Sequence, residues 1–162
     1  MHDGRRPFDS APIDGHLSVS WVTITCMEVT TRAVEGIPRG NLHVSRDEFV
    51  ALWRLVEHLG EVNPADWYAA GVRATCRWLA CAAIRSIVGG WELAWAPVTR
   101  RSRLAHEELI EAELFAAELQ ALRNPGGIEG RPGWLEGILA TLQWAWAGSS
   151  VAPLDVPSTN TG

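Results

Sequence analysis

The glutamate-rich segment from residue 106 to residue 118 holds the side chains best suited to chemistry in this chain. Glu107, Glu108 and Glu111 are spaced so that a helix would bring their carboxylates close together. Hard divalent cations such as Mg²⁺ prefer several carboxylate oxygens as ligands. These three glutamates are therefore the candidate metal ligands of one alternative function, a metal-dependent enzyme.

The pair Glu108-x-x-Glu111 resembles half of the metal-binding motif of the all-α nucleoside triphosphate pyrophosphohydrolases. This resemblance implies a divalent-metal, carboxylate-dependent phosphohydrolase built from helices. The family carries a second acidic pair, Glu-x-x-Asp, on a later helix, where this chain has only Glu136. Because half of the motif is missing, the preferred interpretation is an acidic face that is solvated or paired with Arg73 and Arg77, and no metal or cofactor is expected.

Two tryptophans and an arginine cluster form the second group of candidate residues. Trp91 and Trp95 lie in an apolar connector, and Arg100, Arg101 and Arg103 follow it. Tryptophan and arginine together are typical of the residues that dominate protein interfaces. These five residues are therefore predicted to bind a partner, and the partner is expected to be a protein.

The same arginines support a further alternative, a nucleic-acid-binding regulator. Arginines ahead of a helix can hold a phosphate backbone, helped by the free amide groups of the first turn. The formal net charge of −5 argues against this role, because nucleic-acid-binding proteins carry a basic excess. Nucleic acid is therefore not the expected partner.

Other catalytic patterns do not occur in the sequence. There is no Gly-x-Ser-x-Gly turn, no glycine-rich phosphate loop and no HExxH zinc motif. Cys26, Cys76 and Cys81 have no metal-ligand spacing and are predicted to be reduced thiols. We therefore expect no catalytic residues, and the primary prediction is a non-enzymatic helical binding or accessory protein acting through protein–protein contacts.

Length and composition predict one globular domain. The chain has 162 residues, of which 47% are hydrophobic and 20% charged. No apolar run reaches the ~20 residues of a membrane span, and residues 1–12 lack the apolar core of a secretory signal. A cytoplasmic location without membrane contact is therefore expected, and the oligomeric state stays open.

The predicted fold is α+β and mainly α, with an N-terminal β-hairpin packed on a four-helix core. Residues 1–16 are predicted to be a flexible arm, residues 17–148 the globular domain and residues 149–162 a disordered tail. Serines that alternate with Leu17, Val19 and Trp21, in a stretch rich in Val, Thr and Ile, predict a strand over 17–29, and 41–44 is the predicted returning strand.

Capping and stop signals give the bounds of the four predicted helices. Ser45 and Glu48 form a capping box that starts the first helix, and Gly60 ends it. The other three helices are predicted over 64–88, over 102–123 and from just after Pro132 to about 148.

One short pattern occurs twice along the chain. Gly71-Val-Arg-Ala-Thr-Cys-Arg-Trp78 returns as Gly137-Ile-Leu-Ala-Thr-Leu-Gln-Trp144. The shared Gly, Ala, Thr and Trp fall within about 100° on a helix. The pattern indicates a duplicated helix unit in which the second and fourth helices have equivalent packing roles, with Ala74 and Ala140 buried.

Overall fold

Residues 28–157 are the part of the chain that the computed structural model describes. This part is mainly helical, with four main helices, as predicted. In chain order the elements are α1 (Thr31–Glu35), a 3-10 turn (Arg39–Asn41), α2 (Arg46–Val62), α3 (Trp67–Leu79), β1 (Ala83–Arg85), β2 (Trp91–Leu93), α4 (Glu107–Arg123) and α5 (Trp134–Ala145).

The start of α2 confirms the predicted cap. The Ser45 hydroxyl accepts a hydrogen bond from the Glu48 backbone N–H at 3.2 Å, and it donates one to the Glu48 carboxylate at 2.6 Å. The helix continues two residues past Gly60 to Val62. A capped start and an apolar stripe are local features, which explains why the sequence places this helix well.

The predicted position of the hairpin is wrong. Residues 41–44 form the end of the 3-10 turn and a loop, and most of the other predicted strand, residues 17–27, lies outside the described residues. The hairpin of the structure lies mid-chain, where β1 pairs antiparallel with β2 and Arg85 faces Trp91. The second predicted helix therefore ends at Leu79, well before residue 88.

Helix α3 ends at Leu79, two residues before Cys81, whose φ angle is +49°, and two glycines further on form the turn between the strands. Gly89 and Gly90 have φ angles of +92° and +84°, which side chains rarely tolerate. The turn is closed by backbone hydrogen bonds from Ser86 N–H to the Gly90 carbonyl and from Gly89 N–H to the Ser86 carbonyl, both 3.1 Å. The glycine pair is the turn of a hairpin and not a helix stop.

The most extensive helix contact among the described residues joins α3 to α5. A Cβ atom on Gly71 would lie 2.2 Å from the Trp134 carbonyl oxygen, and one on Gly137 would lie 2.3 Å from that of Tyr68. Thr75 is fully buried, and its hydroxyl donates to the Gly71 carbonyl at 2.9 Å.

The alanines of the repeated pattern are less buried than expected. Ala74 and Ala140 are only half-buried, whereas Gly71, Gly137 and the tryptophans Trp78 and Trp144 are buried. Close packing of two helices needs small residues on both, whatever their origin. The duplicated unit therefore stays a prediction.

The described part of the predicted tail follows the surface of the helices. The Tyr68 hydroxyl donates to the Pro153 carbonyl at 2.9 Å, and Leu154 and Val156 pack partly buried against the core. The domain boundaries stay predictions. Over residues 28–157, every helix is too short or too polar to cross a bilayer.

Candidate partner-binding surface

The hairpin presents its largest apolar side chains to solvent. Ile87 and Val88, in the turn, are fully or almost fully exposed, and 64% of Trp91 is exposed. Because the turn is closed by its own hydrogen bonds, these side chains are held outward on a defined backbone. We call Arg85, Ile87, Val88 and Trp91 the hairpin surface.

Arg85 adds a positive charge to this surface. Its Cζ atom lies 5.1 Å from the centroid of the Trp91 ring, a distance that allows a cation–π interaction. The side chain is exposed and forms no ion pair with a carboxylate of residues 28–157. Its charge is thus available to a partner.

Trp95 is less open than Trp91. It is half-buried, and the Arg103 guanidinium covers its ring at 4.1 Å. Arg103 also pairs with Glu92 of β2 at 3.0 Å. The Arg103 guanidinium is therefore already in contact with Trp95 and Glu92 at the edge of the hairpin.

Arg100 and Arg101 lie in the loop before α4, and both are exposed. Arg100 lines a groove of about 410 Å³ together with Arg131 and Trp134. Trp91 lines a different groove, so the structure does not gather the five predicted residues in one pocket.

A buried glutamate of α4 holds this arginine loop in place. Glu113 is only 2% exposed and accepts hydrogen bonds from Val98 N–H at 2.5 Å, Thr99 N–H at 3.0 Å and the Thr99 hydroxyl at 2.7 Å. One residue of the acidic helix is thus structural, and it fixes the loop that carries Arg100 and Arg101.

The three candidate metal ligands stay on the surface. Glu107, Glu108 and Glu111 are exposed, and residues 28–157 contain no group of three side chains placed to hold a metal ion. The Glu108 carboxylate lies 2.7 Å from Nδ1 of His106. Hydrogen bonds from its own backbone amide and from His106 lower the pKa of Glu108.

The expected pairing of Arg73 or Arg77 with the acidic helix is wrong for Arg77. The Arg77 guanidinium instead forms a bidentate pair with Glu57 of α2, at 2.7 and 2.6 Å, and the Trp53 indole N–H donates to the same carboxylate at 2.9 Å. The reason is position, since α3 packs against α2 and α5, whereas α4 packs on α5. Arg73 is half-buried. Its pKa is lowered mainly by burial and, to a smaller extent, by the positive charge of Arg77.

The two cysteines of the described region differ in exposure. Cys76 is fully buried, and burial, together with the charge of Glu57, raises the pKa of its thiol. Cys81 is half-buried, and its Sγ atom lies 3.8 Å from the Ala105 carbonyl oxygen. Cys26 lies outside the described residues.

Sequence reasoning missed Ile87 and Val88 as surface residues because it placed them in a helix. The signal that identifies them is the order of residue types, with β-branched side chains directly before Gly89-Gly90. That order is typical of a strand followed by a turn.

Comparison of the chain with protein-family models, with curated proteins and with solved structures finds no match in any of the three.

Proposed function

We propose that this chain is a non-enzymatic binding or accessory protein that acts through protein–protein contacts at the hairpin surface. The observation that carries the proposal is the exposure of Ile87 and Val88 on a closed turn, with the exposed Trp91 beside them at the start of β2. Burying apolar surface stabilises a complex by about 25 cal/mol per Å² before the costs of association. The hairpin surface is therefore favourable for a partner to cover.

The positive charges on and beside the hairpin surface indicate the kind of partner that fits it. Arg85 stacks on Trp91, and Arg101 is exposed in the loop before α4. A fitting partner is a folded protein with an apolar pocket that receives the hairpin surface and with carboxylates at the pocket's rim. Arg100, in the neighbouring loop, then contacts the partner at the edge of the interface. Arg103 and Trp95 lie at the edge of the hairpin and support the interface from there.

Site-specific photocrosslinking in the cells that produce the protein tests this function. A photoreactive residue at position 88 is expected to capture one defined protein, whereas the same residue at Val62, an exposed apolar position at the end of α2, captures none. The captured protein is then purified for direct binding measurements. Equal capture from both positions would reject the hairpin surface.

Paired variants separate binding from stability. The double variant Ile87→Ser/Val88→Ser is expected to bind the captured protein at least about tenfold more weakly, since hot-spot truncations cost about 2 kcal/mol or more. Its melting temperature should match that of the wild type, because both side chains are exposed. Val62→Ser is the matched control and should bind normally. Unchanged binding by the double variant contradicts the proposal.

A second candidate, a nucleic-acid-binding regulator, is favoured by one observation. Arg100 and Arg131 line the same groove beside Trp134, and none of the residues that line it is acidic. Such a groove suits a phosphate backbone and a stacked base. The metal-dependent phosphohydrolase has no comparable support within residues 28–157.

Anisotropy of a labelled single-stranded oligonucleotide tests the second candidate. Binding should weaken steeply as salt rises, and Arg100→Gln/Arg131→Gln should reduce both the affinity and the salt dependence. Arg123→Gln, at the exposed end of α4, is the matched control. An affinity that does not change with salt concentration, or that is the same in the double variant, rejects this candidate.

A further inference from the structure

Helix α4 has two apolar faces on opposite sides. Its buried residues Ile110, Glu113 and Ala117 mark the side that packs on the core. At 100° per residue, Phe115 and Leu122 lie on the side turned away from it, and they are 65% and 80% exposed. A helix that is apolar on both sides is typical of a position between two partners. Among the described residues α4 packs mainly on α5 and also contacts the 3-10 turn, and these contacts leave Phe115 and Leu122 exposed.

The exposed stripe has the spacing of a helix-packing surface. Phe115, Leu119 and Leu122 stand at positions i, i+4 and i+7 along α4, with Leu119 half-buried between the two exposed side chains, so they form one continuous ridge. Ridges of this kind fit the grooves between the side chains of a second helix, and recognition of an amphipathic helix uses anchors at this spacing.

One flank of the stripe is acidic. Glu107, Glu111 and Glu118 lie on the same side of Phe115, and all three are exposed. None of them forms an ion pair with an arginine or histidine in the stretch from 28 to 157. Carboxylates a turn apart repel one another, so a basic partner would relieve an unfavourable arrangement.

We propose that this face of α4 binds a basic amphipathic helix of a protein partner. Apolar residues of that helix cover Phe115, Leu119 and Leu122, and its arginines or lysines pair with Glu111 and Glu118. The proposal does not depend on the hairpin surface, which involves other residues.

A second copy of the chain fits this face less well. In an antiparallel two-fold pair of α4 helices, the same flanks meet, so Glu111 of one copy lies near Glu118 of the other. In a parallel pair, the acidic flank meets the flank with Ala112, Ala116 and Arg123, where a single arginine at the end of the helix faces three carboxylates. Since like charges across a helix interface disfavour pairing, charge complementarity selects a basic partner.

Binding of synthetic peptides to the full chain tests the proposal. The probe is a labelled helical peptide with leucines at i, i+4 and i+7 and arginines along one flank. The control peptide keeps the same leucines, and each of its arginines is replaced by a glutamate. We expect the basic peptide to bind at least tenfold more tightly than the acidic one, with an affinity that falls as salt rises. Equal affinity for both peptides overturns the proposal.

Variants then locate the binding face. Phe115→Ser/Leu122→Ser should lose at least tenfold in affinity, whereas Val62→Ser and the hairpin double variant Ile87→Ser/Val88→Ser should bind the basic peptide like the wild type. Circular dichroism checks that each variant is folded. Full binding by the α4 double variant places the peptide elsewhere and overturns the proposal.

Charge substitutions and sedimentation complete the test. Glu111→Gln/Glu118→Gln should weaken binding of the basic peptide and flatten its salt dependence, whereas Glu129→Gln, at an exposed loop position, should do neither. Sedimentation of the wild type should show no dimer that depends on Phe115 and Leu122. A dimer abolished by Phe115→Ser/Leu122→Ser identifies a second copy as the occupant and overturns the basic-helix proposal.

Discussion

Gly71 and Gly137 face one another across the contact of α3 with α5, each against a backbone carbonyl of the opposite helix. A Cβ atom at either position would lie 2.2 or 2.3 Å from a carbonyl oxygen, closer than real side chains approach. The obstacle on both sides is backbone, which cannot rotate away. The distance between these helices is therefore set by the absence of two side chains.

Substitution of either glycine should separate the helices. Gly71→Ala and Gly137→Ala are each expected to lower the free energy of unfolding by about 1 to 3 kcal/mol, as overpacking does in a well-packed core. Denaturant titration measures the change. Gly126→Ala is the control, since nothing lies within 4 Å of the added atom. An unchanged midpoint for both core variants would contradict the close contact.

Local signals in the sequence predicted the four main helices and some of their ends, although α4 begins at Glu107, five residues after its predicted start. The capping box of Ser45 and Glu48 places the start of α2, and the turn residues after Arg123 place the end of α4. The repeated Gly, Thr and Trp mark the buried face of α3 and α5, since all six of these residues are buried. These features depend on neighbouring residues alone, so periodicity and caps are enough to find them.

Features that depend on tertiary packing could not be predicted. The apolar stretch after Leu79 fits a buried helix as well as a strand, because short apolar runs do not separate the two. Because a helix is predicted for this stretch, the sequence does not predict the hairpin surface. Likewise, the partner of Arg77 depends on which helix lies beside α3, and no local pattern identifies Glu57 as that neighbour.

The pair of Glu57 and Arg77 should be sensitive to loss of one partner. Glu57→Ala leaves the Arg77 guanidinium and the Trp53 indole N–H without their acceptor. We expect a loss of about 3 kcal/mol in the free energy of unfolding, the lower end for breaking a buried pair, because Arg77 keeps some contact with water. Urea titration measures it. Glu61→Ala, one turn on at an exposed position, should change little, and similar losses for both would reject the assigned role.

Glu113 should control the arginine loop before α4. Glu113→Ala removes the acceptor of two backbone N–H groups and the Thr99 hydroxyl, so the loop should open more often. Trypsin cleavage after Arg100 and Arg101, followed by mass spectrometry, is expected to become several-fold faster. The exposed Glu111→Ala is the control and should be cleaved like the wild type. Equal cleavage of both variants would show that Glu113 does not hold the loop.

The buried thiol of Cys76 should make stability depend on alkaline pH. Burial raises the pKa of Cys76 in the folded chain, whereas in the unfolded chain the thiol loses its proton near its ordinary value of about 8.5. Above that pH the unfolded state binds fewer protons than the native state, so the free energy of unfolding falls as pH rises. The decrease can approach about 1.4 kcal/mol per pH unit for one such group.

Urea titrations from neutral to alkaline pH, on the wild type and on Cys76→Ala, isolate this contribution. The wild type should lose stability more steeply above about pH 8.5, since only it must release the Cys76 proton on unfolding. The comparison uses the slopes, because the substitution also changes packing at neutral pH. Val72→Ala, at a fully buried position without an ionisable group, serves as the control and should keep the wild-type slope. Parallel slopes for the wild type and Cys76→Ala would mean that Cys76 ionises as readily in the folded chain as in the unfolded one.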